Sequence, residues 1–333
     1  MISGPESESE LVLPWRSVPS SESIVFWLTK YWQNKVLGSP EGTVRAKKSD
    51  LELFVLFFCD VVGSDSVDFW TPSVTKSFRS WMAKAEPLQP KRRFIKAYAP
   101  TSINRTLATL RHFAKFVMAV RPFESGDPFD GVGDLTIQEP GWKGLSDLEL
   151  MRLRAALDQL TQLSNRKHQM PFRNRAIFLT ALDTGLRASE LVNLDFDQLG
   201  GKYLHKVKGK GNSYADIYLS SDARPAILKY IESERGDSSG PLFVTNRGGR
   251  ISRQQIDRFL RQVASQANSK LPSGEHISLH AHALRHTGTK RVYLTKGPVE
   301  AKQFGRHQSF KQLERYAAQT PEEREAMVDK LWD

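Results

Sequence analysis

The sequence predicts a mainly helical protein of two domains, with one small β-hairpin or sheet in the second domain. Three observations support this fold class. Apolar residues recur at helical spacing over most of the chain, strand-forming residues flank a turn between Lys202 and Ser220, and glycines and prolines are dense between residues 126 and 144. The 333 residues are enough for two domains, each with its own hydrophobic core.

The first half of the chain divides into a tail and a helical domain. Residues 1–17 are rich in Ser, Glu and Pro without apolar periodicity, which predicts a disordered tail. Residues 18–125 are predicted to form the helical domain, and its clearest helix starts at Thr101 or Ser102. One face of that helix is apolar, with Ile103, Leu107, Leu110, Ala114 and Val117, and the other is polar, with Arg105, Thr109, His112 and Lys115.

Residues 126–144 are predicted to be a linker, and residues 145–333 a second domain. Its first helix starts at Ser146, with core candidates Leu148, Leu150, Met151, Leu153 and Leu160. The predicted hairpin turns at Gly209 to Asn212, with strand residues Tyr203, Val207, Tyr214, Ile217 and Leu219.

A later helix begins with a capping box of Ser252 and Gln255. Its predicted inner face holds Ile256, Phe259, Leu260 and Val263, while Arg253, Arg258 and Arg261 lie outside that face. The last residues, Pro321 to Asp333, have an apolar edge on a short helix of marginal stability alone, with Met327, Val328, Leu331 and Trp332. This pattern predicts a C-terminal interaction helix, which can pack in cis or on a neighbouring copy.

Charge points to a polyanionic partner. The chain has 48 Lys and Arg against 37 Asp and Glu, a net charge of +11 and a pI near 9.6, with 39% hydrophobic residues. Such a folded basic protein favours nucleic acid, because Lys and Arg displace condensed counterions from phosphates. The candidate DNA-binding residues are Lys91, Arg92, Arg93, Lys96, Arg105, His112, Lys115, Arg253 and Arg258. A solvated charged face is the alternative interpretation of each.

Several function classes lack their sequence signals. The chain has one cysteine, Cys59, acidic first residues and no apolar run long enough for a membrane span, which together predict a cytoplasmic, nucleoid-associated protein without membrane contact. Nucleotide-binding glycine motifs are missing. His276, His280, His282 and His286 are the best metal candidates, but Arg285 would place a fixed positive charge beside the cation, so no metal site is predicted.

A set of catalytic residue types occurs in the second half of the chain. In order, these are Arg187 in Thr-Gly-Leu-Arg, Lys210 in the hairpin turn, His282 and Arg285 in His-Ala-Leu-Arg, then His307 and Tyr316. This order resembles that of the tyrosine recombinase family, the phage integrases and Xer-like site-specific recombinases. The N-terminal half is similar in layout to the family's core-binding domain. The resemblance implies a two-domain clamp, a helical core-binding domain plus a catalytic domain, on double-stranded DNA.

The resemblance implies cleavage and rejoining of DNA strands by transesterification, through a 3′-phosphotyrosyl intermediate and without a cofactor. Tyr316 is then the nucleophile and His282 its proton acceptor, while His307 donates to the phosphate and Lys210 protonates the leaving 5′ oxygen. Arg187 and Arg285 are suited to bind the non-bridging oxygens of the scissile phosphate, because a guanidinium binds two oxygens at once and stays charged. Glu190 could hold Arg187, and His286 could buttress the site.

The family also implies a homo-tetramer on two DNA sites that exchanges strands through a Holliday junction, as mobile elements do during integration. An accessory DNA-bending or directionality protein is a further partner consistent with the resemblance. Two departures stand out: Arg306 separates Gly305 from His307, where members commonly have Gly directly before the histidine, and Ser213 and Ala215 stand where basic residues are often found.

Two other functions use similar residues or the same fold. A type IB topoisomerase shares the phosphotyrosine chemistry but only relaxes supercoils, and a non-catalytic DNA-binding regulator could retain the fold. The separate basic helical domain and the C-terminal segment favour the recombinase, and the complete residue set argues against the regulator.

Overall fold

A computed structural model describes residues 20–84, 97–137, 144–163, 169–209, 213–307 and 309–313, together with 316, 325, 328 and 329. The chain forms two compact units, Met1–Gln138 and Glu139–Asp333. Both units are mainly helical, and the second carries a small antiparallel sheet, so the predicted fold class is confirmed. No helix in the described ranges is long and apolar enough to cross a membrane.

The first unit is built from helices around an aromatic core. Its helices are α1 (Ile24–Tyr31), which continues in a wider π-helical turn, α2 (Glu41–Val62), α3 (Pro72–Lys84) and α4 (Pro100–Met118). Trp70 is fully buried at the centre, with its ring 4.8 Å from that of Phe54 and 5.4 Å from that of Phe113. Large rings of this kind bury more apolar area per residue than aliphatic side chains do.

Helix α4 differs from its prediction at two points. It starts at Pro100 after Ala99 rather than at a Thr101 or Ser102 cap, because the fixed φ of proline suits the first helical position. Its polar face is also partly internal. The buried carboxylate of Asp50 on α2 accepts hydrogen bonds from Arg105 Nη2 at 2.7 Å and Thr109 Oγ1 at 3.0 Å. Arg105, proposed for DNA, therefore also holds α4 to α2.

The first unit extends into the segment predicted as a linker. Phe129 and Val132 are buried in its core, and Asn104 exchanges two hydrogen bonds of 2.8 Å with the backbone of Leu135. The division between the units, after Gln138, falls inside the predicted linker. Gly126 and Gly131 have positive φ values of 78° and 61°, as glycines in turns do. The domain bounds 18–125 and 145–333 stay predictions.

The second unit begins with α5 (Asp147–Gln162), α6 (Pro171–Thr184) and α7 (Ala188–Val192), and continues after the sheet with α8 (Ala223–Tyr230), α9 (Arg253–Asn268), α10 (Ala281–Lys296) and α11 (Pro298–Gly305). Both predicted starts are confirmed, since Ser146 with Glu149 and Ser252 with Gln255 form capping boxes. The inner face of α9 is buried as predicted.

Two predicted core positions of α5 are wrong. Leu148 and Met151 are 50% and 60% exposed, whereas Leu150 and Leu153 are buried. All four residues are apolar, so the spacing along the helix does not decide which pair faces the core. The partner helices α6 and α9 pack on the face that holds Leu150 and Leu153.

The predicted hairpin is part of a three-stranded antiparallel sheet in the order β1 (Leu199–Gly200), β2 (Tyr203–Lys208) and β3 (Tyr214–Tyr218). A bulge interrupts the β2–β3 pairing at Lys206, which has a φ of 51° and donates its amide to Asp216 Oδ1 at 2.9 Å. Residues 210–212, with Lys210, lie outside the described residues.

Helix α10 lies close against α6 because Gly288 has no side chain. A Cβ at Gly288 would collide with the carbonyl oxygen of Leu182 on α6. Gly42 near the start of α2 is the opposite case, since nothing lies within 4 Å of the place where its Cβ would be.

We therefore expect the same substitution to have opposite effects at the two glycines. Gly288→Ala should lower the free energy of unfolding by about 1 to 3 kcal/mol, because α10 must move away from α6. Gly42→Ala should raise it by about 0.5 kcal/mol, because alanine loses less backbone entropy in a helix. Urea denaturation of both variants measures this, and an unchanged stability of Gly288→Ala would contradict the close helix contact.

Candidate active site

The site begins where α6 ends. Gly185 caps α6 with a φ of +60°, and a Cβ there would lie 2.7 Å from the ring of Phe304. Glycine meets both demands, the left-handed backbone and the close ring. The chain then turns so that Arg187 becomes the residue before α7, with its side chain 26% exposed.

Arg285 lies on α10 and is 2% exposed. Its Nη1 donates to the carbonyl of Gly185 and its Nη2 to the carbonyl of Gly305, which end α6 and α11. These partners are 100 and 20 residues away along the chain. The planar guanidinium therefore fixes two distant loops against α10.

Glu190 is a buried carboxylate between two arginines. Its Oε1 lies 2.7 Å from Arg187 Nη1, and its Oε2 accepts from the Arg187 amide at 2.9 Å and from Arg306 Nη2 at 2.6 Å. Burial raises the pKa of Glu190, but Arg306 and the hydrogen bonds from Arg187 outweigh burial and bring it below 4.5. Glu190 is therefore an ionised bridge between α7 and the end of α11.

The arginines in this cluster repel one another. Burial, with the neighbouring positive charges of Arg187 and Arg306, lowers the pKa of Arg285 to about 10, although Glu190 and Tyr316 act in the opposite direction. Arg285 remains protonated at neutral pH. Three guanidinium groups around one carboxylate leave the cluster with an excess of positive charge, which suits a bound anion.

Tyr316 joins the cluster from beyond α11. Its side chain is 1% exposed and packs with Ala301 and Leu313, and its Oη lies 2.6 Å from His286 Nδ1. The ring of His286 stacks on that of His282 with 5.9 Å between centroids. A phenol proton therefore has a ring nitrogen within hydrogen-bond reach.

His307 also lies beside Tyr316. The two ring centroids are 6.0 Å apart. The His307 ring fits because Gly305 has no Cβ, which would overlap it. The ring of His307 therefore requires a glycine at position 305. Arg306, between the two, takes the left-handed conformation with a φ of 47°.

The histidines weighed as metal ligands have other roles. His280 caps α10, where its Nδ1 accepts the amide of Ala283 at 2.9 Å, and His276 Nε2 lies 3.2 Å from the carbonyl of Leu271. Among the described residues, no three His, Cys, Asp or Glu side chains are grouped as metal ligands.

The structure thus brings together most of the predicted site residues, namely Arg187, Glu190, His282, Arg285, His286, His307 and Tyr316. Lys210 lies outside the described residues, as do Lys91, Arg92, Arg93 and Lys96. His112 and Lys115 are exposed on α4, and Arg253 and Arg258 on α9.

Arg306 is the site residue that sequence reasoning missed as a contributor. It was interpreted only as an interruption between Gly305 and His307, yet it contacts Glu190 directly. The sequence signal that could have indicated this role is an arginine directly before the histidine, where family members commonly have glycine.

Comparisons with known proteins found relatives in sequence and in fold. A model of the phage integrase family matches residues 153–323. The tyrosine recombinase XerC of Thermodesulfovibrio yellowstonii is 28% identical over 273 residues, which are 79% of this chain and 81% of that protein. The XerC of Halalkalibacterium halodurans is 30% identical over 198 residues, 56% of this chain, and the match spans 62% of its length.

Solved structures show the same fold. The Tn1549 transposon integrase in complex with transposon right end DNA superposes with a TM-score of 0.68 at 16% identity, covering 92% of this chain and 98% of that one. A lambda integrase dimer bound to a COC′ core site superposes with a TM-score of 0.65 at 14% identity, covering 88% and 77%.

The bridge at Glu190 predicts a pH-dependent stability. Its folded pKa is lowered, so its contribution is present above the ordinary value of 4.5 and is lost as pH falls through the folded value. Glu190→Gln should lower the free energy of unfolding at neutral pH by about 3 kcal/mol, because two arginines lose their counter-charge. This difference from the parent should narrow below pH 4.5.

Urea titrations at several pH values measure the effect. The matched control is Glu232→Gln, which removes an exposed ion pair of 2.9 Å with Lys229 and should cost less than about 1 kcal/mol. Equal losses at both positions, or a loss at Glu190 that does not change with pH, would contradict the ionised bridge.

Proposed function

This chain belongs to the phage integrase family, and on that premise we propose that it is a site-specific DNA recombinase of the tyrosine type. The proposal includes cleavage and rejoining of DNA through a covalent 3′-phosphotyrosyl intermediate. The observation that carries it is the contact of Tyr316 Oη with His286 at 2.6 Å, in the same cluster as Arg187 and Arg285.

Cleavage is a transesterification at one phosphodiester. The Tyr316 oxygen attacks the scissile phosphorus, a bond forms between them, and the bond from phosphorus to the 5′ oxygen breaks. The phenol proton passes to His282, with His286 holding the phenol in the free protein. The 5′ oxygen leaves as a hydroxyl with a proton from Lys210. Rejoining reverses these steps with a 5′ hydroxyl of another strand, so the phosphodiester bond energy is retained and neither ATP nor a metal is required.

The remaining residues stabilise the charge that develops on the non-bridging oxygens. Arg187 and Arg285 present guanidinium groups that stay charged, and His307 donates a further hydrogen bond. Glu190 orients Arg187, and the two carbonyl contacts of Arg285 fix its plane. Preorganised donors of this kind act without reorganising as the reaction proceeds.

The proposed assembly on DNA is the one that the family resemblance implies. Four protomers on two double-stranded sites exchange strands in pairs through a Holliday junction, and an accessory DNA-bending protein can assist. The C-terminal interaction helix is the contact to a neighbouring copy, although residues 330–333 and much of that segment lie outside the described residues. Lys115, Arg253 and Arg258 are exposed cations that suit phosphate contacts, as do the cations at 91–96, and His112 is an exposed side chain that can donate a hydrogen bond to a phosphate.

Recombination and simple relaxation are separated by one experiment. DNA linked covalently to the protein is recovered from cells under denaturing conditions and sequenced, which gives the cleavage site. A plasmid with two copies of that site should then lose the intervening segment. Relaxation without deletion would show topoisomerase activity instead, and the absence of any adduct would favour a non-catalytic regulator.

Tyr316→Phe should bind the recovered site but form no covalent adduct, because the ring still packs against Leu313 while the nucleophilic oxygen is gone. Denaturing gels detect the adduct, and gel shifts detect binding. Tyr293→Phe is the control, since Tyr293 packs against the same small cluster and should leave adduct formation intact. An adduct that persists in Tyr316→Phe would place the nucleophile elsewhere.

Lys210 is tested as the general acid by changing the leaving atom. Lys210→Ala should slow cleavage about a hundredfold or more on a normal substrate. A substrate with sulfur at the scissile 5′ position should restore it, because a thiolate leaves without a proton. Lys208→Ala, at the end of β2, is the comparison and should need no such rescue. Sulfur rescue of Lys208→Ala instead would move the general acid to Lys208.

A further inference from the structure

Arg306 combines an unusual backbone with a buried side chain. It follows α11 with a φ of 47° and a ψ of 49°, in the left-handed region that favours glycine. Residues other than glycine remain there only where their surroundings fix them, and such positions concentrate at functional sites. The side chain of Arg306 is 17% exposed, so its contacts within the protein are what hold it.

Those contacts connect Arg306 to α7. Its Nη2 lies 2.6 Å from Glu190 Oε2 and 3.3 Å from the Gly185 carbonyl, and its Nη1 lies 3.5 Å from the Thr184 carbonyl. The other oxygen of the same carboxylate, Oε1, accepts from Arg187 Nη1 at 2.7 Å. Glu190 therefore joins Arg306 on one side to Arg187 on the other.

We propose that Arg306 is a positioning residue for Arg187: it binds the carboxylate of Glu190 and thereby holds the Arg187 guanidinium in place for the scissile phosphate. The proposal rests on the recombinase function argued above and adds a residue to it. Without Arg306, Glu190 Oε2 would keep only the Arg187 amide, and the carboxylate would lose the second guanidinium that restrains its rotamer. Arg187 would then sample orientations away from the phosphate.

The charge balance gives Arg306 a second effect on the same site. Arg306 adds a positive charge beside Arg285 and Arg187, and Glu190 neutralises only part of the total. The remaining positive charge favours binding of an anionic phosphodiester, so Arg306 also raises the affinity of the site for DNA while its own guanidinium stays on Glu190. Cleavage rates measured at saturating DNA do not include this effect on affinity.

A double-mutant cycle tests the proposal. Arg306→Gly, Arg187→Ala and the double variant are compared with the parent in single-turnover adduct formation, on a nicked duplex that carries the recovered site, at saturating DNA. Arg306→Gly should slow cleavage about tenfold to a hundredfold, as expected for loss of a supporting contact. In the Arg187→Ala background the same change should have no further effect, because Arg306 acts through Arg187.

Glycine is the replacement because it fits the backbone without strain, and thermal unfolding checks that the variant is folded. If it is not folded, Arg306→Lys replaces it in the same cycle, since lysine keeps the charge but lacks the planar fork of donors that contacts Glu190 and the two carbonyls together. The matched control is Arg250→Ala, because Arg250 also binds a carboxylate, Asp195 at 2.5 Å, and the Val192 and Leu194 carbonyls, none of which belongs to the site. It should cleave at the parent rate.

Two results would overturn the proposal. A parent rate for the Arg306 variant would show that Arg187 needs no such support, and a full additional loss in the Arg187→Ala background would show that Arg306 acts on the phosphate independently. Absence of an adduct with the parent protein is a different outcome, because it would refute the recombinase function itself.

Discussion

The buried guanidinium of Arg285 joins the segments that carry the site. It donates to the carbonyl that ends α6 and to the carbonyl that ends α11, while its own backbone belongs to α10. Because a guanidinium is planar with its donors in fixed directions, two such bonds set the positions of both loops. Arg187 follows the first loop and His307 the second, so Arg285 sets their separation together with the contact between Arg306 and Glu190.

The electrostatics of the cluster follow from that burial. Desolvation and neighbouring cations lower the pKa of Arg285 to about 10, and Glu190 stays ionised although it is buried. In the free protein the like charges are partly compensated by Glu190. A phosphodiester would neutralise a further positive charge, so the repulsion that disfavours the empty cluster favours binding of an anionic substrate.

Three glycines, which have no side chain, are as important for this arrangement as the charged residues. Gly288 lets α10 approach α6, Gly185 leaves room for the ring of Phe304, and Gly305 leaves room for the ring of His307. Each glycine lies within three residues of a site residue on its own segment. The close helix contacts and the charged cluster are therefore parts of one packing solution, in which small residues permit the approach that the arginine bonds then fix.

The sequence by itself determined the helical class, the starts of α5 and α9, the hairpin and the order of the site residues, because helical spacing, capping and motif order are local properties. It did not determine which part of the polar face of α4 is internal, the exposed side of α5 or the packing of residues 129–135. Those depend on partners far away in sequence, as Arg105 on Asp50 shows. The role of Arg306 also depends on the tertiary structure. Its partner Glu190 is 116 residues away in the sequence, so the motif alone shows only an extra residue between Gly305 and His307.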